Sequence, residues 1–447
     1  MKNLWLFLLP LVFLPSFGLG SSTSLGVLDL SDYLIMPLVM LIWRSGQKGP
    51  RKLADGVWPL LILFLVWTLV STLLIRERYG YGSDHQTLIG CSKLGKFALY
   101  AVTGLLASHA LADAQNIRRF EWTLLVSGLL AAASLAWFSG QSESLRTGRA
   151  IEGYKTNNGI SVMMAMMLCY FGGLWLTGRG TPRWRMLAPP AMGVMIVGFL
   201  LSQGRGGWVA GMVGAAYLLY RCRLRSRVVV GLAAAAIGVV AAYEFLPSFR
   251  LALDRTINPD AAYLRESVQV IPGVDDGDRL YIWELESAKF MASPILGTGF
   301  FHRGGASGLF SAGSHNFFLQ IALETGAVGF IAMAAIFATM WRQAGTAAAR
   351  AEGQEVPFRA ALVAAIIGGL SGEYFYGSTP LLGLMLIYSQ IGRLPASAPI
   401  AASVPQNDDV LPYPYEFPPV WSDFPAASCP TCSGALPSQY IPSFLDS

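Results

Sequence analysis

The sequence has little charge. Of its 447 residues only 13% are Asp, Glu, Lys or Arg, against roughly 25% in an average soluble domain. Hydrophobic residues make up 53%, and a soluble domain of this length could not bury that much apolar surface. The composition therefore excludes an ordinary soluble enzyme and a disordered chain, and it predicts a polytopic membrane protein.

Cysteine is also scarce. Five cysteines are too few for a disulfide framework. Cys429 and Cys432 have the spacing of half a zinc site, but no second pair accompanies them, so we predict no metal site. The glycine-rich stretch 304–308 lacks the lysine of a nucleotide-binding loop. No basic cluster suggests nucleic acid, and no cofactor is expected.

Long apolar runs predict about twelve membrane-spanning helices, because a spanning helix needs roughly 20 mostly apolar residues. The predicted spans are 4–19, 25–43, 57–75, 94–112, 121–140, 158–177, 187–202, 206–220, 228–246, 314–341, 358–373 and 379–393. The expected fold class is an all-α polytopic integral membrane protein with one large loop outside the cytoplasm. The first span could also be a signal peptide, which would leave the remaining topology unchanged.

The distribution of Lys and Arg predicts that both termini are cytoplasmic. In that orientation the inner side holds 18 of the 32 basic residues, and six of the others lie in the long outward loop 247–313, which the rule discounts. The segment 394–447 has 11 prolines and no Lys or Arg. We therefore expect a helical membrane domain at 1–393, which includes the loop, and a disordered cytoplasmic tail at 394–447.

The first polar motif on the predicted outer side is Ser202-Gln203-Gly204-Arg205-Gly206-Gly207. Polar residues at membrane depth are expensive and tend to be functional. The planar guanidinium of Arg205 suits a phosphate or pyrophosphate. An interfacial arginine that extends to lipid headgroups is an equally open interpretation.

The second motif lies in and after the outward loop. Arg279 and Trp283 are four residues apart, and so share one face if the segment is helical. His315 then opens a long apolar helix, and histidine can accept a proton from a hydroxyl near neutral pH. A lone histidine at a helix start is more often structural. The same helix start carries three further polar residues, Asn316, Gln320 and Glu324.

The third motif, Gly153-Tyr154-Lys155-Thr156-Asn157-Asn158-Gly159, enters another span from the outer side. Its asparagines could cap that helix, or they could contact sugar hydroxyls.

Together these motifs resemble the O-antigen ligase and polymerase family, which comprises bacterial membrane glycosyltransferases that act on lipid-linked glycans. The resemblance covers about 150–330. Gly204 stands where the family's Arg-Gly-Gly segment frequently has serine. The matching elements are Arg205-Gly206-Gly207, Arg279 with Trp283, the run Pro294-Ile295-Leu296-Gly297-Thr298-Gly299, His315-Asn316 with Gln320, Glu324 and Gly326, and more weakly Asn157-Asn158.

The resemblance implies an inner-membrane enzyme whose active site faces the periplasm. Its donor would be a glycan on undecaprenyl pyrophosphate, and its acceptor a hydroxyl of another glycan, of lipid A core or of a protein. Arg205 and Arg279 would bind the pyrophosphate and stabilise its growing charge, and His315 would accept the proton of the attacking hydroxyl. Direct attack would invert the anomeric configuration and needs no metal, although the loop acids Asp275, Asp276 and Asp278 leave a metal open as an alternative. The further residues expected to bind substrate are Asn158, Trp283, Asn316, Gln320 and Glu324.

Other functions stay open from the sequence alone. Twelve spans are typical of secondary transporters, although no repeated halves are visible and the polar motifs converge on one side. A peptidoglycan polymerase of the shape-and-division class and a scaffold with a recruiting tail fit the motifs less well. Within the family, polymerase, ligase and protein O-oligosaccharyltransferase share their chemistry. We lean slightly to a polymerase or exopolysaccharide role, since nothing marks a lipid A core or pilin acceptor.

Overall fold

The architecture comes from a computed structural model of the chain. The structure describes residues 4–13, 22–23, 26–27, 30–45, 56–79, 84–111, 114–139, 157–178, 182–202, 204–222, 240, 243–244, 250, 279–300, 315–346, 353–372, 375 and 379–391. The regular secondary structure of the described residues is helical except for one hairpin, in which β1 (Ser22–Thr23) pairs antiparallel with β2 (Gly26–Val27). This confirms the helical class predicted from the apolar runs.

The helices are, in chain order, α1 (Trp5–Val12), α2 (Leu30–Ser45), α3 (Val57–Tyr79), α4 (Asp84–Ala110), α5 (Ala114–Ser139), α6 (Asn157–Leu176), α7 (Pro182–Leu201), α8 (Arg205–Cys222), α9 (Arg279–Ala292), α10 (Phe317–Ala344), α11 (Glu355–Leu370) and α12 (Thr379–Tyr388).

Five stretches within these helices are long and apolar enough to cross a membrane. They are Val57–Leu74, Gln115–Ala136, Gly159–Leu176, Arg183–Leu201 and Phe317–Ala344. Each coincides with a predicted span, and the chain is therefore an integral membrane protein. The predicted span 228–246 and the loop 247–313 fall largely outside the described residues, and the tail 394–447 falls wholly outside them. The count of twelve spans therefore stays a prediction.

The spanning helices differ in how much of their surface the protein covers. The apolar stretch of α6 is 78% buried, whereas that of α3 is 33% buried. Exposed apolar side chains on α3 include Ile62, Val66 and Leu73. A helix on the surface of a water-soluble protein would carry polar side chains there, so α3 lies at the lipid-facing edge and α6 lies at the centre.

Helices α6, α8 and α11 pack closely against one another at this centre. A Cβ atom placed on Gly173 of α6 would stand 2.6 Å from Cα of Pro357 in α11. Small residues let backbones in a membrane approach closely, which gains van der Waals contact where lipid supplies no hydrophobic drive.

Helices α3 and α10 run antiparallel. Gly56, just before α3, lies beside Gln343 near the end of α10. Farther along α3, Trp67 Nε1 donates a 2.8 Å hydrogen bond to the carbonyl oxygen of Thr325. The later part of α3 therefore lies beside the first part of α10, where the predicted site residues are concentrated.

Candidate functional site

Helix α10 is broken at Gly326. This residue has φ 68° and ψ −173°, a backbone conformation that glycine adopts without steric cost. The break interrupts the normal helical hydrogen bonds across residues 323–327. In lipid every backbone polar group needs an internal partner, so the freed groups must be satisfied from elsewhere in the protein.

The chain just after α9 supplies those partners. Thr298 N donates to the Leu323 carbonyl at 2.8 Å, and Gly299 N donates to the Glu324 carbonyl at 2.9 Å. In the other direction, Ala327 N donates to the Pro294 carbonyl at 2.8 Å. Residues 293–300 thus form a turn, here called the docking turn, that completes the hydrogen bonding of the broken helix.

Two glycines make this contact possible. A Cβ on Gly326 would overlap the carbonyl oxygen of Ile295, and a Cβ on Gly297 would stand 2.5 Å from the carbonyl carbon of Glu324. Gly297 itself has φ 75°. Two separate motifs of the sequence therefore meet in the fold, namely the Pro294–Gly299 run and the His315–Gly326 segment. We call this contact between the docking turn and the break in α10 the joint.

One side of the docking turn packs into the bundle, whereas Ile295 on its other side is 62% exposed. Gly326 follows the first residue of α10 by nine positions, which is about 14 Å along a helix axis. Phe300, at the end of the turn, is 1% exposed. Sequence reasoning placed the whole loop 247–313 outside the bundle, and it missed this insertion because the partners are distant in the chain.

At the start of α10, His315 is exposed and has φ 52°. Left-handed backbone is uncommon in a residue other than glycine, and such strain tends to occur at functional sites. Asn316 is the N-cap, and its Oδ1 accepts hydrogen bonds from Phe318 N at 3.0 Å and Leu319 N at 3.2 Å. The cap fixes the helix start and leaves His315 just outside it.

Gln320 and Glu324 form a buried polar pair one turn apart on α10. Gln320 Nε2 donates to Glu324 Oε1 at 2.6 Å, and the two residues are 3% and 0% exposed. A carboxyl group at this depth is expensive. Glu324 also takes part in the joint, since its carbonyl oxygen accepts from Gly299. The pair therefore links the start of α10 to the docking turn.

Arg205 is the first residue of α8. The first helical turn closes with a 3.0 Å hydrogen bond from Trp208 N to the Gly204 carbonyl. Ser161 Oγ of α6 donates to the same carbonyl at 3.0 Å, and a Cβ on Gly207 would overlap the Ser161 hydroxyl. The starts of α8 and α6 are therefore adjacent.

Helix α11 connects these starts to the start of α10. A Cβ on Gly368 would lie 2.6 Å from Val162 Cγ1 of α6, and one on Gly369 would lie 3.1 Å from Phe318 Cε2 of α10. The starts of α6, α8 and α10, with Asn158, Arg205 and His315, thus gather at one end of the bundle, here called the motif end. For Asn158 and Arg205 the structure describes the backbone alone.

Helix α9 begins with Arg279 and packs against α10. The predicted helical relation of Arg279 to Trp283 is confirmed, and Trp283 is half-buried, although only the backbone of Arg279 is described. Sequence reasoning missed Glu286, which is 5% exposed and accepts a 2.9 Å hydrogen bond from Lys289 Nζ. Its spacing of three residues from Trp283 could have revealed it.

The other end of the bundle carries an ion cluster. Arg221, near the end of α8, lies 3.2 Å from Glu355 Oε1 at the start of α11, and Arg359 Nη1 lies 2.5 Å from the same oxygen. The Arg359 guanidinium also stacks 4.7 Å above the ring of Trp341. We call Arg221, Glu355, Arg359 and Trp341 the arginine end, because α8 separates it from the motif end by its full length.

No group of three or more His, Cys, Asp or Glu side chains in the described part of the chain is arranged to hold a metal ion. The loop acids Asp275, Asp276 and Asp278 and the tail residues Cys429 and Cys432 lie outside the described residues.

Fold and site together define an integral membrane protein with a polar site at one end of its helical bundle. Residues 190–334 match the model of a family described as O-antigen ligase. The match spans Arg205, Arg279, His315 and the docking turn, and it confirms the resemblance drawn from the motifs. The similarity of this segment to O-antigen ligases indicates an enzyme of the glycosyltransferase type. A comparison with curated proteins found no match to the chain.

Proposed function

We propose that this protein transfers or polymerises a glycan from undecaprenyl pyrophosphate onto an acceptor hydroxyl at the periplasmic face of the inner membrane. One observation supports this most directly. The starts of α6, α8 and α10 gather at the motif end, and two of these starts, with Arg205 and His315, lie inside the O-antigen ligase segment.

Arg205 and Arg279 are each the first residue of a helix. First-turn N–H groups and the helix dipole favour an anion at such a position, and a guanidinium adds a planar, bidentate donor. In the proposed reaction both arginines bind the pyrophosphate and stabilise the negative charge that grows on it as the sugar–phosphate bond breaks.

His315 precedes the cap of α10 in an exposed, left-handed conformation. From there it would accept the proton of the acceptor hydroxyl as that oxygen attacks the anomeric carbon. The sugar–oxygen bond forms while the bond to pyrophosphate breaks, so one displacement inverts the configuration. Two guanidinium groups can neutralise the diphosphate in this scheme, and we propose no metal or cofactor.

The remaining predicted residues act beside these three. Asn316 holds the helix start that carries His315, and the Gln320–Glu324 pair keeps polar groups in place below it. Trp283 lies on the same helix as Arg279 and would contact the donor, and Asn158 at the start of α6 would contact sugar hydroxyls.

The orientation we propose places the motif end at the periplasm and both termini in the cytoplasm. Two arginines assigned to the inner side by the sequence, Arg221 and Arg359, lie at the arginine end. This agrees with the positive-inside rule.

Surface glycan in a deletion strain would test the function and the acceptor together. Loss of long chains with a single repeat still attached indicates the polymerase that we favour. Loss of all attached repeats with accumulation of lipid-linked polymer indicates a ligase, and loss of glycan from a protein indicates an O-oligosaccharyltransferase. Unchanged surface glycans, with a purified lipid-linked donor left unconsumed, would refute the proposal, and proton-coupled solute uptake would favour a transporter instead.

A further inference from the structure

We propose that Trp67, Ser71 and Thr72 of α3 are positioning residues for glycosyl transfer, because they hold the docking turn that joins α9 to the broken helix α10. The inference rests on the proposed roles of Arg279, at the start of α9, and of His315, at the start of α10. The three residues themselves lie outside the segment that matches O-antigen ligase.

Each of the three makes a hydrogen bond to the joint. Ser71 Oγ donates to the Leu296 carbonyl of the docking turn and lies 3.4 Å from the Glu324 carbonyl of α10. Thr72 Oγ1 accepts from Phe300 N at 3.0 Å. Trp67 Nε1 donates to the Thr325 carbonyl at 2.8 Å, directly before the break at Gly326. Both segments of the joint, the docking turn and α10 at its break, are therefore hydrogen-bonded to α3.

These contacts differ from the usual behaviour of hydroxyl residues in membrane helices. Ser and Thr commonly bond a carbonyl one turn back in their own helix, as Thr68 does with the Phe64 carbonyl at 2.6 Å. Ser71 instead bonds two other segments, and Thr72 bonds Phe300 N in addition to its own Thr68 carbonyl. The hydroxyl groups thus serve the turn as well as α3.

Helix α4 closes the other side of the turn. A Cβ on Gly90 would stand 2.5 Å from the Phe300 carbonyl oxygen, and the Phe97 ring packs 6.4 Å from the Phe300 ring. Docking fixes the C-terminal end of α9 against α10 some 14 Å below the start of that helix. It follows that the position of Arg279 relative to His315 depends on α3, which bears neither residue.

The test compares Thr72→Val and Ser71→Ala with Thr68→Val, a matched control on the same helix whose hydroxyl bonds only its own backbone among the described contacts. Amide hydrogen exchange of the full-length protein in detergent reports on residues 293–300. We expect this segment to exchange at least tenfold faster in the two variants, with the rest of the chain unchanged, and Thr68→Val to match the wild type. Thr72→Ser should restore protection.

The second arm measures consumption of a purified undecaprenyl-pyrophosphate-linked glycan. Misplacement by about 1 Å can lower a rate by about 100-fold, so we expect kcat to fall about 10- to 100-fold in Thr72→Val with a smaller change in KM. An opened turn with wild-type kcat would overturn the proposal, as would a turn that stays protected in both variants or a fall in kcat with the turn intact. If Thr72→Val does not accumulate, Trp67→Phe takes its place, because the ring remains and only the donor is lost.

Failure of the proposed function would look different. If His315→Ala transferred glycan normally, the site assignment would be wrong. The exchange measurement would still show whether α3 holds the turn, because it needs no substrate.

Discussion

The two ends of the helical bundle use polar residues in different ways. At the arginine end, one carboxylate, that of Glu355, forms ion pairs with both Arg221 and Arg359, and the second arginine also stacks on Trp341. At the motif end, three helices start side by side around glycine contacts, and His315 holds a strained backbone. The first arrangement joins helices, whereas the second presents helix starts and a histidine to one space. We infer that stability and chemistry are separated along α8.

The largest effect should come from the histidine. Proton transfer to a positioned side chain typically contributes about 10²–10⁴ in rate, and we expect His315→Ala to lose this factor while the protein accumulates normally in the membrane. Consumption of purified lipid-linked glycan measures it. Because the His315 side chain is exposed and Asn316 caps the helix, folding should survive. Normal product formation by His315→Ala would exclude the role of proton acceptor.

The next effect concerns the joint. Gly326→Ala places a methyl group against the Ile295 carbonyl in a left-handed backbone, and backbone strain alone costs about 1–3 kcal/mol. We expect a lower thermal midpoint in detergent together with loss of transfer. Gly95→Ala is the matched control, because a Cβ on Gly95 of α4 meets nothing within 4 Å. A Gly326→Ala protein as stable and active as the Gly95→Ala protein would show that the break in α10 is not needed.

The joint also separates the features that the sequence predicts from those that only the folded structure reveals. The apolar runs located all five long spans, and the His-Asn pair located the start of α10 to within two residues, since both signals depend on neighbours in the chain. Gly326 has no such signal, because a glycine in an apolar run looks the same whether the helix continues or breaks. Its role depends on Ile295 and Gly297, which lie against it only in the folded protein. The contacts of the Ser71 and Thr72 hydroxyl groups could not be predicted from the sequence for the same reason, since their partners Leu296 and Phe300 are distant in the chain.

A smaller effect should follow from Arg205→Lys. Lysine keeps the charge at the start of α8 but loses the planar pair of donors that suits a pyrophosphate. Replacing a contact of two hydrogen bonds by a contact of one should cost about 1–1.5 kcal/mol of binding free energy in the transition state, which is about tenfold in kcat/KM. Steady-state kinetics with varied donor concentration would measure this. A fully active Arg205→Lys enzyme would rule out bidentate recognition at that helix start.

The smallest effect tests the separation of the two ends directly. Arg221 lies on the same helix as Arg205, and its side chain is 39% exposed beside Glu355. An exposed ion pair contributes about 0–1 kcal/mol, and Arg359 still pairs with Glu355 when Arg221 is removed. We therefore expect Arg221→Ala to lower the thermal midpoint slightly and to leave kcat and KM unchanged. A fall in kcat comparable to that of Arg205→Lys would mean that the arginine end takes part in the reaction, and that α8 does not divide stability from chemistry.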